Sequence, residues 1–209
     1  VGGYVNIANE GSDGNSFADG DVYDTYRVTL LEGQSVLLLI GSRTDADLDL
    51  WLYNLDGDVV DSSLSDSSNE SVVAPADGEY FIDVEAWSGF STYNLAIGLD
   101  QAIASNGFRL SDEFIPLQII AKASENQFAK ASQAIATVGM QQLSRGNNGA
   151  ELYQLVSTST TRLQAMQSAN PRRQIGLDQQ QRYSTLLAAK QLQQSGAVQF
   201  AHPNYKRKA

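Results

Sequence analysis

The sequence predicts two domains, an all-β antiparallel sandwich followed by an α+β domain of element order β-α-β-β-α-β. Three observations predict this. Short segments of alternating apolar and polar residues, broken by turn residues at intervals of roughly 8 to 12 positions, fill the first half. The period then lengthens after the polar stretch Gln101 to Asn106. Charge changes sign at the same place: residues 1–105 hold 19 acidic side chains against Arg27 and Arg43, a net of −17, whereas residues 106–209 hold 12 basic against five acidic, a net of +7. A chain of 209 residues accommodates two domains of about 100 residues each. The expected division is a sandwich over 1–100, a linker over 101–107 and the second domain over 108–209.

In the first half, Tyr26, Val28 and Leu30 alternate before the turn at Glu32-Gly33. Val36 to Ile40 form a run apolar enough for burial on both faces. Leu48, Leu50 and Leu52 point one way, leaving Asp47, Asp49, Trp51 and Tyr53 on the other face. Asp56-Gly57 is a hairpin signal leading into Val59 and Val60. Ala76-Asp77-Gly78 precedes a strand with Tyr80, Ile82 and Val84, and Ser88-Gly89 separates that strand from a last one with Tyr93, Leu95 and Ile97.

In the second half, Phe114 to Lys122 reads as a strand with Pro116 near its start. Ser124 and Gln127 have capping-box spacing ahead of Phe128, Ala131, Ile135 and Val138, a helix that Gly139 ends. Met140 to Ser144 and Leu152 to Ser157 are strands around the Gly146-Asn147-Asn148-Gly149 turn. Ser184 to Gln194 is a second helix closed by Gly196, and Val198 with Phe200 marks a final strand. This order folds as a four-stranded antiparallel sheet with both helices on one face, the other face being left for solvent or a partner.

Composition narrows function by exclusion. Without cysteine there are no disulfides, thiolate metal sites or cysteine nucleophiles. No run approaches the roughly 18 to 20 apolar residues of a membrane span. A net of −17 on the first half argues against nucleic acid as its ligand. A serine-protease triad needs a histidine base, and His202, the only histidine, lies near the chain end with no G-x-S-x-G elbow anywhere. The expectation is a non-enzyme. The chain opens at Val1 without methionine or a basic-then-apolar leader, which reads as a processed or trimmed product.

Asp47-Leu48-Asp49-Leu50-Trp51-Leu52-Tyr53, Ala74-Pro75-Ala76-Asp77-Gly78-Glu79-Tyr80-Phe81-Ile82-Asp83-Val84 and Ser91-Thr92-Tyr93-Asn94-Leu95 together resemble the bacterial pre-peptidase C-terminal domain over about residues 20–99. That resemblance implies a jelly-roll type sandwich, like the collagen-binding modules, with a non-catalytic accessory role beside a secreted protease. Phe114-Ile115-Pro116-Leu117-Gln118-Ile119-Ile120-Ala121-Lys122, Thr185-Leu186-Leu187-Ala188-Ala189-Lys190-Gln191-Leu192 and Gly196-Ala197-Val198-Gln199-Phe200-Ala201-His202-Pro203-Asn204-Tyr205 resemble the prodomain of subtilisin-like serine proteases, of the inhibitor I9 type. The family's usual terminal E-P-N-Y tetrad is matched by His202-Pro203-Asn204-Tyr205 except for the acid. Residues 161–182, rich in glutamine and arginine, depart from the pattern as an insertion.

The second resemblance implies a ferredoxin-like fold whose open sheet face packs on the catalytic domain of the same precursor. It implies an intramolecular chaperone and inhibitor whose tail, Asn204, Tyr205, Lys206, Arg207, Lys208 and Ala209, lies in the substrate cleft. The blander reading of Lys206-Arg207-Lys208 is a solvated basic tail, and a third is a processing site for a trypsin-like protease. Secreted, periplasmic or cell-surface placement follows from the same resemblance. The alternative is a free-standing adhesion protein that binds an extracellular matrix or polysaccharide.

The first half holds two further candidate sites. Trp51, Tyr53 and Trp87, with Phe90, form a candidate ligand face for an extracellular polymer, against ordinary packing of aromatics in a small sandwich. Asp45, Asp47 and Asp49 repeat the opening of a calcium loop, but Leu50 stands where an EF-hand needs glycine and Asp56 where it needs a bidentate glutamate. An EF-hand is excluded; the expectation is no cofactor, with these three aspartates as the calcium candidates in a looser site at strand ends.

Overall fold

In the computed structural model, residues 1–7, 20–42, 46–98, 108–156 and 176–206 are described. The chain is mostly β, in two units: the first runs from Val1 to Ser111 and the second opens at Asp112. All pairings between named strands are antiparallel.

The first unit holds β1 (Gly2–Asn6), β2 (Tyr23–Leu30), β3 (Ser35–Ile40), β4 (Ala46–Tyr53), β5 (Val59–Ser63), β6 (Asn69–Val73) and β7 (Gly78–Gly98). β7 organises them. Its first part pairs with β2 on one side and β4 on the other, with β5 beyond β4. Its second part pairs with β1 and β3, with β6 beyond β3. Two leaflets thus share one 21-residue strand in a nearly closed sheet. The sequence reading cut this strand in two at Ser88-Gly89; Gly89 does take a left-handed φ of 70°, but with the register shift opposite Asp47 and Leu48 it bends the strand from one leaflet to the other and no turn forms.

The space between the leaflets is filled by Val5, Leu30, Val36, Leu38, Leu48, Leu50, Leu52, Val72, Ile82, Val84 and Tyr93. Two expectations change here. β3 is one-sided, since Leu39 is 40 % exposed while Val36 and Leu38 are fully buried; the strand buried on both faces is β4, every residue of which is buried. β1 and β6 were not foreseen, because Gly2-Gly3 and the polar opening Asn69-Glu70-Ser71 blur the alternation. The Asp56-Gly57 hairpin is as expected, with Gly57 at φ 90° and its N–H bonded to Asn54 O at 3.1 Å.

The unit also extends further than expected. Phe108 and Leu110 are buried, Leu64 N–H donates to Phe108 O at 3.0 Å, and Arg109 bridges to Ser63 while its Nη2 donates to Ser71 O at 2.8 Å. Residues 108–111 therefore belong with the sandwich; 101–107 lie outside the described residues.

β2 is tied to the second part of β7 through a hydroxyl chain: Tyr93 donates to Asp24, and the Tyr26 and Tyr93 hydroxyls lie 2.7 Å apart. Gly3 sits directly on this pair, and a Cβ there would overlap the Tyr93 hydroxyl and approach Asp24 Oδ2 to 2.8 Å. Tyr93 is 1 % exposed and cannot swing aside. Gly3→Ala is expected to cost about 1–3 kcal/mol, read as a lower urea midpoint.

The second unit is β8 (Phe114–Ala123), α1 (Phe128–Val138), β9 (Met140–Arg145), β10 (Glu151–Leu155), α2 (Leu177–Gln194) and β11 (Val198–Tyr205). Its strands lie in the order β11-β8-β10-β9. α2 packs on β8 and β11, and α1 meets α2 and β9. Three details differ from expectation. The N-cap of α1 is Gln127, not Ser124, whose carbonyl instead accepts Gln127 N–H in the preceding turn. α2 begins at Leu177, seven residues before Ser184, taking in the end of the expected insertion; the stretch 157–175 lies outside the described residues. β11 runs on through Tyr205, well past Phe200. Gly139 closes α1 as read, at φ 78°. No helix among the described residues is long and apolar enough to cross a membrane.

Candidate functional site

Among the described residues of the second unit, the four-stranded sheet has one face under its helices and one without. Ile119, Ala121, Tyr153, Leu155 and Ala201 are buried and alternate with a half-buried set, Gln118, Ile120, Lys122, Leu152, Gln154, Phe200 and His202. Strand register aligns the second set in rows. Ile120 stands between Leu152 of β10 and His202 of β11. Lys122 is opposite Phe200, and Gln118 is opposite Gln154. Asn204 Nδ2 donates to Gln118 Oε1 at 2.8 Å, closing the lower row. The result is an apolar centre with a polar margin.

Aromatic rings run down its edge. Phe200 and His202 lie nearly parallel with centroids 5.3 Å apart, and His202 and Tyr205 follow at 6.0 Å. His202 Nδ1 lies 2.9 Å from Pro203 O. Tyr205 in turn meets the Phe114 ring edge-on at 6.3 Å, and the Arg182 guanidinium covers that ring at 4.2 Å from its centroid. Arg182 also donates to Asp112 O, while Asp112 is hydrogen-bonded to the Tyr205 hydroxyl. Asp112, Phe114, Arg182 and Tyr205 form one clamp.

This clamp sits where the expected cleft tail begins. Asn204 pairs with Ile115, Tyr205 pairs with Phe114, and Lys206 N–H donates to Glu113 O at 2.9 Å. These three residues are part of the sheet, where the inner edge of β11 is paired with β8. Arg207, Lys208 and Ala209 lie outside the described residues. The sequence offered a signal for this, since Phe200, His202 and Asn204 alternate in continuation of Val198. It offered none for the contribution of Asp112 and Arg182, which meet only in the fold.

The other candidates separate. Trp51 and Tyr53 are 1 % and 2 % exposed. Their rings stack at 6.4 Å, and Trp51 Nε1 donates to buried Glu85 Oε2 at 2.8 Å. They are packing residues and present no ligand face; Trp87 alone of the three is half-exposed. Asp47 and Asp49 are buried on β4, Asp45 lies outside the described residues, and no group of three metal-ligating side chains occurs among the described residues.

Burial, and then hydrogen bonding to a carboxylate, pushes three phenols well above the ordinary tyrosine value: Tyr93 beside Asp24 and Tyr153 beside Glu151; for Tyr205, burial and the charge of Asp112 act together with the hydrogen bond. The folded state therefore favours the protonated phenols. Their contribution is fully present below the unfolded value of about 10 and is lost as pH rises above it. The urea midpoint is expected to hold steady to about pH 10 and then fall, and replacing Tyr153 and Tyr205 by phenylalanine should flatten that fall.

No family model matches the chain, and no curated protein matches it. Among solved structures, the chain is similar to Aeromonas hydrophila PliG, a periplasmic lysozyme inhibitor of g-type lysozyme, at 14 % identity over 47 % of this chain and 82 % of that chain, with a TM-score of 0.31. A likeness that slight carries no functional argument.

Proposed function

We propose that this chain is the pro-region of a secreted subtilisin-like serine protease, the second unit being a ferredoxin-like inhibitor and folding aid and the first an accessory sandwich of the pre-peptidase C-terminal type. One observation carries the reading: the second sheet has a face without helices among the described residues of its unit, whose half-buried centre, Ile120, Leu152 and Phe200, is apolar and is rimmed by Gln118, Gln154, Lys122 and His202. Such a face gains from a partner, and a partner that exists only as folded enzyme is stabilised by mass action when the face binds it. The motif resemblance at β8, α2 and β11 names a subtilisin-like catalytic domain as that partner. With Asn204 to Lys206 engaged in the sheet, docking of the face provides the affinity, and access to the cleft belongs to whatever follows Lys206. The adhesion reading loses its aromatic face to the burial of Trp51 and Tyr53.

Inhibition of the cognate catalytic domain tests this. The chain is expected to inhibit, and Ile120→Glu, which places a charge at the centre of the docking face, to weaken inhibition by about 100-fold or more with an unchanged unfolding midpoint. Equal inhibition by both forms contradicts the docking face, and inhibition by neither contradicts the pro-region reading.

A further inference from the structure

A second surface lies at the opposite edge of the same sheet, clear of the docking face. β9 pairs only with β10, so its outer backbone edge has no ladder partner among the described residues. Its residues Gln141 to Arg145 are all exposed. Uncovered edge strands are commonly protected by charge, proline or brevity. Here the first five residues, Met140-Gln141-Gln142-Leu143-Ser144, carry no charge and no proline.

Beside this edge a cavity of about 400 Å³ opens between the sheet and α1, lined by Phe128, Ala131 and Ile135 of the helix and by Met140, Gln142 and Arg145 of β9. Its size is in the range that accepts a bulky side chain or small ligand. Phe128 at its mouth is 63 % exposed. The cationic end is fixed by pairing: Arg145 Nε lies 3.3 Å from Glu151 Oε1, and Tyr153 donates to the other oxygen of Glu151. A bulge at Leu143, unpaired between Gln142↔Tyr153 and Ser144↔Leu152, shifts the phase of the strand. Arg145 is thereby brought to the same side as Met140 and Gln142, against the cavity.

We infer that this edge accepts an extended segment of a partner protein, added as a fifth strand to β9, which places an apolar side chain in the cavity and an acidic one near Arg145. Backbone bonds to the open edge supply affinity, and the cavity supplies the choice of side chain. The Arg145 side chain is 65 % exposed and offers its terminal nitrogens to a carboxylate. A second copy of this chain does not suit the site. Paired through its own β9, it would bring Gln142 and Arg145, the residues on the cavity side, against a cavity already rimmed by Arg145, setting two like charges side by side.

The test uses the full chain and three eight-residue probe peptides of alternating threonine and phenylalanine: one with a single aspartate, one with lysine in its place, and one with aspartate and N-methylated alternate amides. Amide shifts and exchange protection are followed by NMR. The expected result is perturbation centred on Gln141 to Arg145 with the aspartate peptide, and binding weaker by about tenfold or more with the lysine and N-methylated peptides. Arg145→Glu should reverse the preference between aspartate and lysine. Equal binding of the N-methylated peptide overturns strand addition, and perturbation confined to the Ile120 face overturns the location. Binding of no peptide overturns the site, and concentration-dependent self-association through β9 overturns the choice of partner. None of these results depends on whether the chain inhibits a protease.

Discussion

Phe114→Ala is expected to cost the second unit about 3–5 kcal/mol, a large share of the roughly 5–15 kcal/mol that holds a domain of this size. Phe114 is fully buried at the start of β8. Its ring is the floor on which Arg182 rests and against which Tyr205 closes. Removing it leaves a cavity and also frees the clamp that ties the end of β11 to the start of β8, so the loss exceeds that of an ordinary buried ring at a strand end. Urea unfolding followed by far-ultraviolet circular dichroism checks this. Ile115→Ala is the control: that side chain is 38 % exposed, and its loss should cost under about 1 kcal/mol. A loss at Phe114 no larger than at Ile115 would contradict both the burial of the ring and its part in the clamp.

The second large effect belongs to Glu70. Its carboxylate is fully buried and accepts hydrogen bonds from Ser63 and Ser65 and, at 3.2 Å, from Ser67. The three serines belong to the end of β5 and the connection to β6, so one acidic side chain ties together a segment with few apolar anchors of its own. Glu70→Ala leaves buried hydroxyls without their acceptor and is expected to cost about 3 kcal/mol, each buried donor left unsatisfied costing about 1–3 and the effects not being additive. Glu70→Gln keeps one acceptor oxygen and should lose less. Thermal unfolding of both variants checks the order, and a Glu70→Ala midpoint equal to that of the parent would remove the account of this loop.

Much of the fold was legible because its signals are local. The strand period at Leu48, Leu50 and Leu52, the Asp56-Gly57 turn, the helix end at Gly139 and the order of elements in the second unit all follow from neighbours in sequence. What was misread depends on distant partners. A glycine with positive φ reads as a turn, yet at Gly89 the flanking strands keep their pairs and the chain only bends. Polar residues opposite Leu48 and Leu50 read as a solvated face, yet Asp49 and Trp51 are buried, with Trp51 bonded to Glu85 from another strand. An open sheet face was expected from the order of elements, but its residues were placed only by register, which sets Leu152 beside Ile120. The clamp at the start of the tail was not legible for a related reason: Tyr205 meets Asp112 and Phe114, some ninety positions away, and no local pattern signals that contact.

Amide hydrogen exchange of the chain alone and mixed with the cognate catalytic domain, its nucleophilic serine replaced by alanine, tests the central claim most directly. The account predicts new protection along β8, β10 and β11 around Ile120, Leu152 and Phe200, with the amides of the sandwich unchanged. Protection confined to the sandwich, or none in either unit, would contradict it.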